Sequence, residues 1–175
     1  MIGDFAHRLP LNRIRDGERV ALVADEAERR RIAERLGLRS LGRLEAHATL
    51  ERAGEVVRAR GRLKANLCQS CVATGEPVEA HADEPFNLIF VPEPQSARPD
   101  EEIELGESDC DTVFHDGSAI DLGEAIADTL ALALDPYPRS AGAEAALKEV
   151  GVLNEDRAGP FAALAKLKRS DSDRP

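Results

Sequence analysis

Two cysteine thiols in the sequence, Cys68 and Cys71, have the spacing that allows both to bind one metal ion. A structural zinc site needs four ligands, so zinc is predicted only if other side chains complete the set. A redox pair would need a lowered thiol pKa and a strand followed by a helix. A tight turn with two small, partly buried thiols is the third interpretation, and it needs no cofactor. The side chains that could complete a metal site are Cys110, His47, His81 and His115.

Four cationic side chains alternate with small or apolar residues just before this cysteine pair. On a β-strand all four would project from one face, about 6.6 Å apart, while the residues between them face the core. Such a stripe suits contact with the backbone of a nucleic acid and predicts binding that weakens with salt. The alternative is neutralisation by carboxylates of the neighbouring strand, with Glu45 expected opposite Arg62. The stripe consists of Arg58, Arg60, Arg62 and Lys64.

Residues 160–169 combine apolar and basic side chains at helical spacing. Because so short a segment does not fold alone, we expect it either to dock as an amphipathic helix on a partner protein or to pack back on its own domain. The residues concerned are Phe161, Leu164, Leu167, Lys166 and Lys168.

Signatures of catalysis are missing from the sequence. It contains no Ser, His and Asp arrangement, no glycine-rich phosphate loop and no two-histidine metal motif. Its carboxylates occur as surface runs rather than as an isolated pair. We therefore predict that the protein is not an enzyme.

Charge and composition also restrict which other classes of protein this chain can belong to. The chain has 33 acidic against 23 basic residues, a formal charge of -10, which repels a polyanion at long range, so any RNA contact must be local. No apolar run approaches the roughly 18 residues of a membrane span, and the first residues lack the pattern of a signal peptide. We expect a cytoplasmic protein without a membrane partner.

The elements that must position these residues begin with an N-terminal hairpin. "DFAHRLPL" and "ERVALVAD" have strand character, and Asp16-Gly17 supplies a turn between them. Asp25 followed by Glu28 predicts a capped helix that ends before Gly37, with Ala27, Ile32, Ala33 and Leu36 on its apolar side. We expect the arginines of this helix to be solvated.

A second hairpin is predicted from "LEAHATLERAGEVVRARGRLKANL". With Ala53-Gly54 as its turn, Leu50 pairs with Val57 and apolar residues meet apolar residues throughout. The cysteines follow in a turn, and "VEAHADEPFNLIFVP" continues as a further strand. These segments together predict an antiparallel sheet.

The rest of the chain divides into a loop, a helix and a tail. Residues 92–111 are rich in proline and acid and predict a mobile loop. After a short strand in "TVFHDGSA", Asp121 caps a helix that ends near Asp135-Pro136. We therefore predict one α+β domain over residues 1–138, with about six antiparallel strands that could curl toward a barrel and two main helices, and a weakly structured tail over 139–175.

Several of these landmarks occur in the order found in the YceD family of large ribosomal RNA subunit accumulation proteins. They are the strand that runs into Leu67-Cys68-Gln69-Ser70-Cys71, the acidic loop, "IDLGEAIADTLALALDPYPR" and the terminal "PFAALAKLK". The sequence resembles this family over roughly residues 10–168.

The resemblance implies a bacterial protein whose loss lowers the amount of large-subunit (23S) ribosomal RNA, acting in ribosome assembly or in rRNA processing without a known catalytic step. Its partners would be that rRNA or its assembly intermediates, together with a ribosomal protein or assembly factor. Many family members carry further cysteines after the helix, where this sequence has none. Two other functions stay open: a protein-binding adaptor without RNA contact, and a small zinc or thiol protein using Cys68 and Cys71.

Overall fold

Seven β-strands and three α-helices make up the described part of the protein, residues 4–93 and 111–151 of a computed structural model. In chain order they are β1 (Arg8–Pro10), β2 (Glu18–Val23), α1 (Glu26–Arg35), β3 (Ser40–Ala53), β4 (Val56–Ser70), β5 (Pro77–Pro92), β6 (Thr112–His115), β7 (Ala119–Asp121), α2 (Leu122–Ala133) and α3 (Ala143–Glu149). The predicted α+β class is confirmed.

Five of the strands form one sheet in the order β2-β3-β4-β5-β6, and β1 pairs with β7 in a second, two-stranded sheet. Because β2 and β6 are edges, the larger sheet is open among the described strands. The prediction of antiparallel pairing is wrong for β5 and β6, which run parallel with Ile89 opposite Thr112. Parallel neighbours need a crossover of about a dozen residues or more, and the segment between Glu93 and Asp111 is long enough for one.

The predicted N-terminal hairpin does not form. β1 pairs with β7 instead, with Leu9 opposite Ile120, and β2 pairs with β3. Pro10 lacks a backbone N–H and leads into a 3-10 turn at Leu11–Arg13, which redirects the chain before β2 begins. Leu11 and Ile14 in this connection are buried in the core. The segment between β1 and β2 is therefore part of the packed domain and not an exposed hairpin loop.

The β3–β4 hairpin forms, but its predicted register is wrong by two residues. Ala53 pairs with Val56, so Gly54-Glu55 is the turn, and Leu50 lies opposite Ala59. Gly54 occupies the first position of this two-residue turn. Its φ of +66 is a value that such a turn requires there and that glycine adopts readily. A shift of two residues keeps every side chain on its predicted face, and it places Glu45 opposite Lys64 rather than Arg62.

Both predicted main helices are present with their N-terminal caps. In α1 the Asp25 carboxylate accepts from Glu28 N–H at 2.8 Å and Glu28 accepts from Asp25 N–H at 2.8 Å. The Asp121 carboxylate accepts from Glu124 N–H at 3.1 Å and so caps α2. The apolar side of α1 is narrower than predicted, since Ala27 is exposed.

The core lies between the inner face of the sheet and the two main helices. Because large aromatic residues are scarce, aliphatic side chains fill most of it. Fully buried residues from five elements meet there: Ile32, Leu44, Leu63, Phe90, Ile126 and Leu130.

The chain groups into two compact units, residues 1–69 with 79–136, and residues 70–78 with 137–175. The domain boundaries proposed from the sequence stay a prediction. Within the described residues, no helix is long and apolar enough to cross a bilayer. Residues 94–110 of the predicted acidic loop, with Cys110, and the whole of segment 160–169 lie outside the described part of the chain.

Candidate nucleic-acid interface

The two faces of the sheet differ in chemistry because side chains alternate along each strand. In β4, Val57, Ala59 and Leu63 are buried, whereas Arg60 and Lys64 are exposed. The same alternation in β3 buries its alanines and leucines and turns its polar residues outward. The predicted stripe therefore lies on the outer face of the sheet.

The register of β2, β3 and β4 arranges the outer side chains in rows across the strands. Arg19 of β2 lies opposite Thr49 of β3, which lies opposite Arg60 of β4. In the next row His47 of β3 lies opposite Arg62 of β4. The rows bring Arg19 to the stripe, a residue that the sequence analysis missed because its position depends on pairing between distant segments.

We call the outer side of β2, β3 and β4 the basic face. Its outward positions carry six cationic side chains and two carboxylates, Glu45 and Glu51. A chain with a formal charge of -10 thus has a locally cationic surface. The six cations of the basic face are Arg19, Arg43, Arg58, Arg60, Arg62 and Lys64.

A shallow depression of about 460 Å³ lies in the middle of the basic face. Its lining includes Arg19, Arg60, Arg62, His47 and Thr49, so three guanidinium groups surround a hydroxyl and an imidazole. These groups supply hydrogen-bond donors and positive charge, which are the features that bind phosphate oxygens. The depression is the part of the basic face best suited to hold an anionic group.

Gly61 lies beneath this depression and is required by close packing. A Cβ atom at this position would lie 2.0 Å from the carbonyl oxygen of His47 and 2.6 Å from Cζ of Phe86. No real side chain tolerates such distances, so only glycine allows β3 and the buried Phe86 ring to approach β4 here. The core packing of Phe86 and the shape of the outer face therefore depend on the same residue.

Carboxylates neutralise part of the basic face. Arg62 forms an ion pair with Asp83 of β5, and Lys64 Nζ lies 3.9 Å from the same carboxylate. The hydrogen bond from Arg62, with the charges of both cations, holds the pKa of Asp83 below its usual value. Arg60 Nη1 lies 3.7 Å from Glu51 Oε1. All these groups are about half exposed, so the pairs are weak and solvated.

Arg19 and Arg58 differ from the other cations. Arg19 is exposed and makes no ion pair with any residue that the structure describes. Arg58 is half-buried, and its Nε is a buried donor without a hydrogen-bond partner among the described residues. Arg19 is therefore the most available cation of the basic face, and Arg58 the least.

The two thiols of the cysteine pair occupy different surroundings. Cys68 is buried at the end of β4, in the first compact unit. Cys71 is also buried and belongs to the second unit, where its N–H donates to the carbonyl oxygen of Glu76 at 2.7 Å. Hydrogen bonds from the Ser140 backbone and from the Thr74 hydroxyl lower the pKa of the Cys71 thiol to about 6. A thiolate is thus stabilised in a turn held by neutral donors.

Within the described part of the chain, the side chains around these thiols are not a set of zinc ligands. The groups that contact Cys71 are the hydroxyls and amides of Thr74 and Ser140, whereas structural zinc takes thiolate, imidazole or carboxylate ligands. No group of three or more such ligands occurs within residues 4–93 and 111–151. Two histidines considered as ligands have other partners: His81 Nδ1 lies 3.0 Å from Asn66 Oδ1, and His115 Nε2 lies 2.9 Å from Glu55 O.

The model of the family described as large ribosomal RNA subunit accumulation protein YceD matches residues 59–168 of the chain. That range covers more than half of the 175-residue chain. The chain belongs to the YceD family. Comparison with curated proteins and with solved structures finds no match.

Membership of the YceD family implies a role in the accumulation of large-subunit ribosomal RNA. The matched range begins inside β4 and includes Arg60, Arg62 and Lys64, whereas Arg19 and Arg58 precede it. The family description names accumulation of RNA and no catalysed reaction.

Proposed function

We propose that this YceD protein supports accumulation of large-subunit rRNA in the cytoplasm as a non-catalytic factor that binds the RNA backbone on the basic face. The observation that carries the proposal is the cross-strand row Arg19–Thr49–Arg60, with Arg62 in the adjacent row. This row joins cations from two strands into a surface patch that no single stretch of sequence contains.

The spacing of these cations suits a polyanion. Successive outward residues of β4 lie about 6.6 Å apart, and β2 lies about two strand spacings, or 9.6 Å, from β4. Cations distributed in two dimensions can follow a phosphate backbone across the face and release its condensed counterions. The acidic remainder of the chain opposes non-specific association, so binding is confined to this patch.

The composition of the basic face favours recognition of phosphate over recognition of bases. β2, β3 and β4 contain no Phe, Tyr or Trp, so these strands offer no stacking platform of the kind that single-strand binders use. We therefore expect affinity that depends strongly on salt and sequence preference that is weak. The RNA's shape rather than its base edges would set the binding position.

The proposal is tested with the full-length protein and transcripts of large-subunit and small-subunit rRNA. The variant Arg19→Glu/Arg60→Glu/Arg62→Glu reverses three charges on the basic face, and Arg30→Glu/Arg31→Glu is the control on the exposed side of α1. We expect the first variant to lose binding of the large-subunit transcript by at least about a hundredfold at moderate salt, because several phosphate contacts are removed. Equal binding by the first variant and the control would refute the proposal, provided that circular dichroism shows both to be folded.

A further inference from the structure

A groove of about 460 Å³ lies between one flank of α2 and strands β5 and β6, apart from the basic face. We call it the α2 groove. The helix wall of the groove is regular, because Ala125, Asp128 and Leu132 follow one another along a single stripe of α2. The strand walls are formed by Pro85, Phe86, Leu88, Asp111 and Val113.

Most of the groove surface is apolar. Phe86, Leu88 and Ala125 belong to the core and form the floor of the groove, and Val113 is partly buried against the core. Leu132 at the rim is 87% exposed, although the opposite side of α2 buries Ile126 and Leu130 completely. The hydroxyl of Thr129 donates to the carbonyl oxygen of Ala125 at 2.8 Å, so its donor is satisfied within the helix. An apolar side chain placed in the groove would find an apolar surface already formed.

The rim of the groove is acidic. Asp111 and Asp128 lie on its two sides, and a second depression that shares Val113, Ala125 and Asp128 continues past α2. The second depression adds Asp116, Asp121 and Glu124. Two arginines offset part of this charge: Arg35 contacts Glu124 and lies 3.4 Å from Asp128, and Arg8 lies 3.3 Å from Asp116. Five carboxylates against two guanidinium groups leave the rim negative.

We infer that the α2 groove binds a protein partner through a basic segment that carries apolar side chains at helical spacing. Charge complementarity decides the class of occupant, since lysine or arginine side chains would meet Asp111 and Asp128 while the apolar side chains fill the floor. The negative charge of the rim excludes a nucleic acid as the occupant of the groove. The neighbouring segment 94–110 of the chain has six carboxylates and one arginine, so its charge does not match. Residues 160–169 of the same chain do combine basic and apolar side chains, so tighter peptide binding after deletion of 160–169 would overturn the inference in favour of that segment.

The inference is tested by fluorescence anisotropy with the full-length protein and a labelled amphipathic peptide of lysine and leucine. A peptide with serine in place of every leucine is the matched probe. Leu132→Ser removes an exposed apolar contact without opening the core, and Asp111→Asn/Asp128→Asn removes the rim charge. The control Glu26→Gln/Glu34→Gln removes two exposed carboxylates from α1, one of which is also ion-paired.

We expect binding of the leucine peptide to weaken about tenfold in Leu132→Ser and about fivefold in the rim variant, and to stay unchanged in the α1 control. Equal binding of the serine peptide, or an equal loss in the α1 control, would overturn the inference in favour of non-specific attraction to an acidic chain. Dimerisation of the wild type that Leu132→Ser abolishes would overturn it in favour of a second copy. RNA binding should be intact in both groove variants, so failure here is distinguishable from failure of the proposed function.

Discussion

Arg19 of β2 and Arg60 of β4 lie opposite the same residue, Thr49 of β3, on its two sides. Helix α1 and strand β3 separate β2 from β4 in the sequence, and only the pairing of the sheet brings the two arginines into one row. The basic face is therefore a product of strand register. We therefore expect RNA binding by the basic face to depend on cations from both β2 and β4.

Salt dependence should report the contribution of individual cations to RNA binding. We expect Arg19→Gln to lower the slope of log binding constant against log salt concentration by about 1, because one phosphate contact is removed. Arg58→Gln should change the slope less, since this side chain is half-buried. Titration of a large-subunit rRNA transcript at several salt concentrations measures both. A larger change for Arg58 than for Arg19 would contradict the assignment.

Gly61→Ala should destabilise the first unit, because the new Cβ would lie 2.0 Å from the carbonyl oxygen of His47. Overpacking of this kind costs about 1–3 kcal/mol. Gly42→Ala is the matched control in the neighbouring strand, where the nearest atom is Asn66 O at 3.7 Å. Urea denaturation gives the free energy of unfolding of both variants. A Gly61→Ala protein as stable as the control would show that β3 and β4 can separate at this position.

His115 should contribute to stability through two hydrogen bonds. Gly117 N–H donates to its Nδ1 at 3.0 Å, so its Nε2 carries the proton and donates to Glu55 O at 2.9 Å. His115→Leu would remove both hydrogen bonds. Because Glu55 and Gly117 are exposed and water can replace the imidazole, we expect a loss of about 1 kcal/mol in the free energy of unfolding. His81→Leu, which alters an exposed histidine, should have a smaller effect. Equal effects in denaturant titrations would refute this role.

The pKa of the Cys71 thiol should lie well below that of an ordinary cysteine. Its pKa is lowered to about 6 by the Ser140 amide and the Thr74 hydroxyl, so the folded state holds the thiolate while the unfolded state stays protonated up to about pH 9. The stability gained from the thiolate is therefore fully present above the unfolded pKa and is lost as pH falls through about 6. Ultraviolet absorbance of thiolates against pH measures the midpoint. Thr74→Val should raise it, and a wild-type transition that survives in Cys71→Ser would belong to another thiol.

Local signals in the sequence predicted the helices and the faces of the strands. The capping box of Asp25 and Glu28 depends on residues three apart, and the outward direction of Arg60 follows from alternation within one strand. Both are properties of short segments, which local chemistry determines.

Pairing between distant segments was not predictable from these signals. β1 pairs with β7, which is formed more than a hundred residues later, and β6 joins β5 in parallel. The same limitation hid Arg19, because nothing near "ERVALVAD" indicates that this arginine will face Thr49. The α2 groove likewise requires β6 and α2 to be adjacent, which only the folded chain determines.

The most direct test of the central claim is the ratio of large-subunit to small-subunit rRNA in cells of the organism that makes this protein. The native chain is replaced by Arg19→Glu/Arg60→Glu/Arg62→Glu or by the control Arg30→Glu/Arg31→Glu at matched protein levels, and synthesis of both rRNAs is measured in parallel. We predict that the ratio falls in the first strain, with unchanged synthesis, and stays normal in the control. A normal ratio in the first strain would contradict a role for the basic face in rRNA accumulation.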